Sequence, residues 1–146
     1  MKVKAIAIGN TLMEDDGVAI VVLEKIKGEL IKKNIEVIIG ETDFGYSLSL
    51  IEDGDFIFFI DAVYYGKKPG EITVISLEKY KGQKKYYTQH DCSIVDLMKL
   101  YFKNINGYII GIEIGEISFK YGLSNVIKNN IDAISNKVLK EITSRI

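Results

Sequence analysis

Asp55-Phe56-Ile57-Phe58-Phe59-Ile60-Asp61-Ala62 is followed, after the short stretch Val63 to Glu71, by a second strand candidate, Glu71 to Ile75. An unbroken apolar run rich in aromatic and β-branched residues suits a strand covered on both faces, as in a parallel sheet. A parallel neighbour would need a crossover of roughly a dozen residues or more. The connection here is only nine residues, Val63 to Glu71. The later strand is therefore expected to run antiparallel in an otherwise parallel sheet.

Outward from this pair, Val3 to Ile8 is apolar apart from Lys4 and ends at Gly9, and Gly107 to Ile114 is a third long apolar run. Glu36 to Ile39 is a shorter strand candidate. Helical stripes lie between them. Ala19, Val22, Leu23, Ile26 and Leu30 share one face of Asp16 to Asn34, with Gly28 a weak point inside it. Ile94, Leu97, Met98, Tyr101 and Phe102 form a second stripe. Ile127, Ile131, Ile134, Val138 and Ile142 form a third, with Ser124 placed to cap it. A short helix is expected around Tyr46 to Ile51. Strands alternating with helices imply a three-layer α/β/α sandwich with a mixed sheet. No repeat or linker interrupts the chain, and its only proline is Pro69, so residues 1–146 are read as one domain.

The 146 residues are 47% apolar and 27% charged, with net charge −1. A chain of this size can bury a sufficient core without disulfides or structural metal. A single arginine, no tryptophan and no strong basic excess argue against nucleic-acid binding. The lone cysteine, Cys92, excludes an internal disulfide framework and reads as packing at a helix start. No apolar run reaches the roughly 18 residues of a membrane span, and Met1 to Gly9 is too short for a secretory signal. The expectation is a cytoplasmic monomer without membrane insertion.

The segment after the first strand reads Gly9-Asn10-Thr11-Leu12-Met13-Glu14-Asp15-Asp16-Gly17. A dinucleotide-binding loop at this place would be glycine-rich and would hold phosphate at a helix N-terminus. Three consecutive carboxylates repel phosphate and suit either a cation or capping of the helix that follows. Asp61 ends the third strand. If the first and third strands are neighbours, Asp15 or Asp16 and Asp61 meet at a topological switch point, where doubly wound sheets place ligands. The one histidine, His90, precedes the second clear helix. Two carboxylates and an imidazole fit a divalent first-row metal with positions left open. Each residue also has a plain structural reading: a helix cap, a turn cap and a packed histidine. No Gly-x-Ser-x-Gly elbow is present. A receiver-type phospho-acceptor site would want its acidic pair at the strand end and a lysine after the last strand, where Gly111-Ile112-Glu113-Ile114-Gly115 has none.

The opening segment, Ile60-Asp61-Ala62-Val63, Pro69-Gly70-Glu71-Ile72, the histidine before a helix and Gly122-Leu123-Ser124 together resemble the NiFe-hydrogenase maturation endopeptidases, in order and spacing, over essentially the whole chain. The resemblance implies a five-stranded mixed sheet with one antiparallel strand. It implies an endopeptidase that removes the C-terminal extension of a hydrogenase large-subunit precursor after nickel insertion. It assigns Asp16, Asp61 and His90 as catalytic and nickel-sensing residues. The nickel is carried by the substrate, and free divalent metal would bind weakly at the same triad. The loop holding Gly40, Thr42 and Gly45 is implied to approach the substrate, although such enzymes usually have two glycines where this chain has Gly40-Glu41. A non-enzymatic metallochaperone or checkpoint protein using the same three residues is the rival reading. The stretch from Ser76 to Gln89 is expected to be an exposed, mobile loop that returns the chain to the site.

Overall fold

The computed structural model describes residues 2–80 and 93–146. Strand β1 spans Val3–Ile8 and leads through a 3-10 turn, Glu14–Gly17, into helix α1, Val18–Lys32. Then follow β2 (Ile35–Glu41), α2 (Phe44–Ser49), β3 (Phe56–Val63), β4 (Ile72–Ser76), α3 (Ser93–Tyr101), β5 (Asn106–Glu113), α4 (Asn125–Asn129) and α5 (Ile131–Thr143). The strands form one sheet in the order β2-β1-β3-β5-β4. β1 is parallel to β2 and β3, β3 is parallel to β5, and β4 runs antiparallel on β5. The short connection after β3 therefore has the predicted consequence. It passes over the carboxyl end of β5 and returns as an antiparallel edge strand.

Side-chain alternation along each strand divides the core between the two faces of the sheet. Ala5, Ala7, Phe58, Ile60, Ala62, Ile110 and Ile112 pack under α1 and α5 through Val22, Leu23, Ile26, Ile134 and Val138. Ile6, Ile8, Ile57, Phe59 and Ile109 pack on the other face with Ile51, Ile94, Val95 and Met98. This is the three-layer α/β/α arrangement expected from the alternation of elements. Lys4, the one charge in β1, is buried and pairs with Asp55 at 2.7 Å while its ammonium also donates to the Leu50 carbonyl. A buried charge needs such a partner, and the pair fastens the start of β3 to β1.

Three expectations are modified. The last helical stripe is split at Asn130, whose side-chain amide donates to the Val126 carbonyl. That carbonyl is the acceptor a continuous helix would offer to the Asn130 N–H, which bonds Ile127 O instead. Asparagine competes with the helix ladder in this way because its short polar side chain reaches neighbouring backbone groups. Ser124 does stand at the head of α4, but its side chain makes no capping bond there. In the stretch after β4, Leu77 and Tyr80 are buried in the second core, whereas Glu78 and Lys79 between them are exposed. Residues 81–89 of that stretch, together with His90 and Cys92, lie outside the described residues. Gly28 is tolerated inside α1 on an exposed side. Among the described residues, no helix is long and apolar enough to cross a membrane.

Candidate active site at the switch point

The sheet order reverses between β1 and β3: from β1 the chain moves one way to β2, and from β3 it moves the other way to β5 and β4. Ligands of open α/β sheets sit beyond the carboxyl ends of strands at such a point. Both candidate carboxylates lie there. Asp61 occupies the carboxyl half of β3, and alternation places it on the same face as Ile57 and Phe59, toward α2 and α3. Asp16 lies in the 3-10 turn that β1 leads into, and that turn packs against β3. Both side chains are almost fully buried.

The acidic run resolves into three different jobs. Asp15 is completely buried and is a fastener. Its Oδ2 accepts from the N–H groups of Gly115 (2.8 Å) and Glu116 (2.7 Å) and from the Ser124 hydroxyl (2.7 Å), and its Oδ1 accepts from the Ser124 N–H at 2.7 Å. The loop after β1 is thereby locked to the loop after β5 and to the head of α4. Glu14 accepts from the Ser118 hydroxyl at 2.8 Å, and its N–H donates to the Lys120 carbonyl. Asp16 turns the other way, and its Oδ2 accepts from the Asn10 N–H at 3.0 Å. The N-cap of α1 is Gly17, so no side chain of the acidic run stands at that position.

Two glycines permit this layout. A Cβ on Gly9 would lie 2.2 Å from the Asp16 carbonyl, so only glycine lets the turn fold back onto the end of β1. A Cβ on Gly40 would lie 2.2 Å from the Ser47 hydroxyl, in the space α2 needs to sit against β2. Gly40 is buried at a β-bulge opposite β1, whereas Thr42, on the loop entering α2, and Gly45, in the first turn of α2, are exposed. Glu41 has φ +51°, in the left-handed region. Glycine takes up that conformation without the roughly 1–2 kcal/mol of strain an L side chain such as Glu41 meets.

Sequence reasoning overlooked Glu113 and Tyr65. Glu113 ends β5 opposite Val63 and lies fully buried on the Asp61 face of the sheet. Its carboxylate accepts from the Tyr65 N–H at 3.0 and 3.2 Å, while its own backbone bonds Gly70 and Glu71. It therefore pins both ends of the connection that follows Asp61. Burial pushes its carboxyl above the usual range, against the opposing pull of the Tyr65, Lys67 and Gly66 N–H groups and the Lys67 charge. Burial also raises the Tyr65 phenol, with the negative charges of Asp61 and Glu113 adding to it. A glutamate inside an otherwise apolar strand was the signal available for Glu113. Nothing in the sequence marked Tyr65.

The described part of the site thus holds two buried carboxylates, Asp61 in the carboxyl half of β3 and Asp16 in the turn packed on it, with the Tyr65 phenol feeling the charges of both Asp61 and Glu113. The third expected member, His90, lies outside the described residues. Among the described residues, no group of three or more His, Cys, Asp or Glu side chains is arranged to hold a metal ion. Carboxylates in such a place can accept a proton or ligate a cation that a substrate brings.

Residues 20–141 match the family model described as hydrogenase maturation protease. A curated sequence from Methanocaldococcus jannaschii, described as a hydrogenase maturation protease, is 31% identical over 152 aligned positions, covering 97% of this chain and 99% of its own length. The solved structure of the NiFe hydrogenase maturation protease HybD from Thermococcus kodakarensis is 29% identical with a TM-score of 0.71, covering 96% of this chain and 98% of that one. The hydrogenase maturating endopeptidase HybD from E. coli shares the fold at 15% identity, with a TM-score of 0.76 over 99% of this chain and 94% of that one.

Proposed function

This chain belongs to the hydrogenase maturation protease family, and from that premise we propose that it removes the C-terminal extension of a NiFe-hydrogenase large-subunit precursor once nickel has been inserted. The observation that supports the reading is the pair of buried carboxylates at the switch point, Asp61 in the carboxyl half of β3 and Asp16 in the turn that follows β1 and packs on β3. In this reading His90 completes the set. Nickel arrives as part of the substrate, held by the precursor's own ligands, and its open positions accept the two carboxylates and the imidazole. Two negative charges balance a divalent cation, and a precursor lacking nickel would cover the two carboxylates without compensating their charge. Recognition of the metal thus doubles as a check that insertion is complete.

Docking in this way sets the extension beside the carboxyl edge of the sheet, near Thr42 and Gly45. Cleavage breaks one peptide C–N bond. The oxygen of water goes to the carbonyl carbon, and a proton goes to the departing amine. Asp16 or Asp61 is the group within the proposed site suited to take the water's proton. The test is mass spectrometry of a nickel-loaded precursor incubated with the protein. The expected outcome is loss of a C-terminal peptide, abolished by Asp16→Asn, Asp61→Asn or His90→Ala and absent for nickel-free precursor. Binding without shortening would support a checkpoint protein instead and overturn the protease reading.

A further inference from the structure

The loop that carries Asp16 has a second side. A groove of about 630 Å³ runs along it, opening away from Asp61's face of the sheet. Its walls include Thr11 and Gly17 of the loop, Val21 of α1, Leu123 before α4 and Ile131 of α5. Beside it three large apolar side chains stand in solvent: Leu12 is 52% exposed, Phe119 84% and Tyr121 78%. Scattered exposed apolar residues are ordinary, but a contiguous apolar patch at a groove marks an interaction site.

These side chains are held outward by structure. Met13 and Lys120 form a parallel β-bridge, and Leu12 and Phe119 each directly precede one of its partners on these two adjoining segments. The Glu14 N–H bonds the Lys120 carbonyl at 2.8 Å, and Asp15 ties Gly115, Glu116 and Ser124 to the same turn. The patch and Asp16 therefore belong to one braced unit. The charge around the groove is uneven. Lys120 and Lys128 are exposed on its rim, and Lys25 is engaged by Asp132 at 3.0 Å; among the described residues, the carboxylates lining it are Glu24, exposed, and Glu14, buried and bonded by Ser118.

We infer that the Leu12, Phe119 and Tyr121 surface with its groove is the docking site for the body of the precursor, and that it receives an apolar segment flanked by acidic side chains. The inference rests on the proposed protease function and adds where the partner is held apart from the cut. Continuity carries it: a residue bound against Leu12 and Phe119 lies on the loop whose other side presents Asp16. The apolar floor takes the segment's hydrophobic side chains, and Lys120 and Lys128 face its acidic flank. Aromatic anchors of this kind dominate the energy of protein interfaces.

The test measures equilibrium binding and cleavage separately. The probe is a nickel-loaded large-subunit precursor with its C-terminal extension, from the organism that encodes this chain. Phe119→Asp and Tyr121→Asp, both at exposed positions, should weaken binding at least tenfold, with melting curves unchanged. In the cleavage assay KM should rise by the same factor with kcat within twofold. Lys120→Glu should weaken binding further at low salt than at high salt. Binding within twofold of wild type for both aromatic variants, or no binding by the wild-type chain, overturns the docking site. Cleavage with undiminished affinity in those variants would leave the protease function standing while removing this surface. Tight binding without cleavage by the wild type would do the reverse. A wild-type dimer in sedimentation that Phe119→Asp converts to monomer would assign the patch to self-association and overturn the inference.

Discussion

Asp15→Asn and Asp16→Asn should separate two adjacent residues of the same type by opposite assays. Asp15 is fully buried and accepts four hydrogen bonds from three residues far along the chain. An asparagine amide keeps one oxygen. In its better orientation the oxygen takes the Oδ2 position, with three donors, and the NH2 group faces the Ser124 N–H. One charge-assisted bond worth about 1.5–3 kcal/mol is then lost, and the three that remain weaken toward the 0.5–1.5 kcal/mol of neutral bonds. Relief of carboxylate desolvation offsets part of this. The net loss is about 3–4 kcal/mol, a large share of the 5–15 kcal/mol typical of a domain. At about 3 °C per kcal/mol for a chain of this size, Tm falls by roughly 10 °C. Asp16→Asn keeps an acceptor for the Asn10 N–H, so its Tm should stay within about 3 °C of wild type, while cleavage of nickel-loaded precursor is lost. Calorimetry and mass spectrometry on the two purified variants supply both readouts. An Asp15→Asn protein that melts with wild type would refute the fastener argument. An Asp16→Asn protein that cleaves normally would remove Asp16 from the site.

Lys4→Met leaves Asp55 buried without its cation and should destabilise by about 3–5 kcal/mol in denaturant melts, whereas the Lys4→Met/Asp55→Leu pair should recover most of that; equal stability of single and double variants would refute the pairing. The Glu113 carboxyl is raised above its ordinary value of 4.5. A raised carboxyl contributes stability below its unfolded value that is lost as pH rises through the folded one. Wild type should therefore lose stability relative to Glu113→Gln as pH rises from about 4 toward neutrality, and parallel pH profiles in chemical denaturation would show that burial does not govern this group. Gly9→Ala places a Cβ 2.2 Å from the Asp16 carbonyl, so the turn must move; slowed cleavage together with a lowered melting point is expected, and normal values of both would show that the turn has slack.

The sheet was legible because burial on both faces leaves an unmistakable trace. β3 reads Phe-Ile-Phe-Phe-Ile, and no solvent-exposed strand would be so uniformly apolar. The antiparallel edge was legible from chain length alone, since the reach of the Val63–Glu71 connection is a geometric limit. The partner of that edge strand was not, because the same limit is met by pairing with β3 or by passing over β5. The break at Asn130 was hidden for a related reason: Asn129-Asn130 fits the interior of an amphipathic stripe in pattern, and only the captured Val126 carbonyl reveals the competition. Ser124 was found as a helix start and misread in its bond, because a hydroxyl at that position looks the same whether it serves its own helix or a carboxylate 109 residues away.

The acidic run shows why a site can be located from sequence before its members are sorted. Alternation tells which residues of a strand share a face, but Glu14, Asp15 and Asp16 lie on a 3-10 turn, where no short period assigns faces and each side chain departs differently. What sorts them is the count of donors that reach each one, and those donors come from residues 115 to 124, far along the chain. The buried carboxylates then fall into a consistent pattern. Asp55 is matched by a lysine, and Asp15 and Glu113 are matched by backbone N–H groups, so each fixes a loop at one end of the sheet. Asp16 and Asp61 are carried by the elements so fixed, β3 and the turn packed on it, at the one place where the strand order reverses. On the proposed reading these two groups meet a metal carried by the substrate, and ordering them before it arrives helps, since ordering on binding would subtract from affinity. On that reading the fastening carboxylates supply the order, which gives a physical role to the many buried acids of a chain whose net charge is only −1.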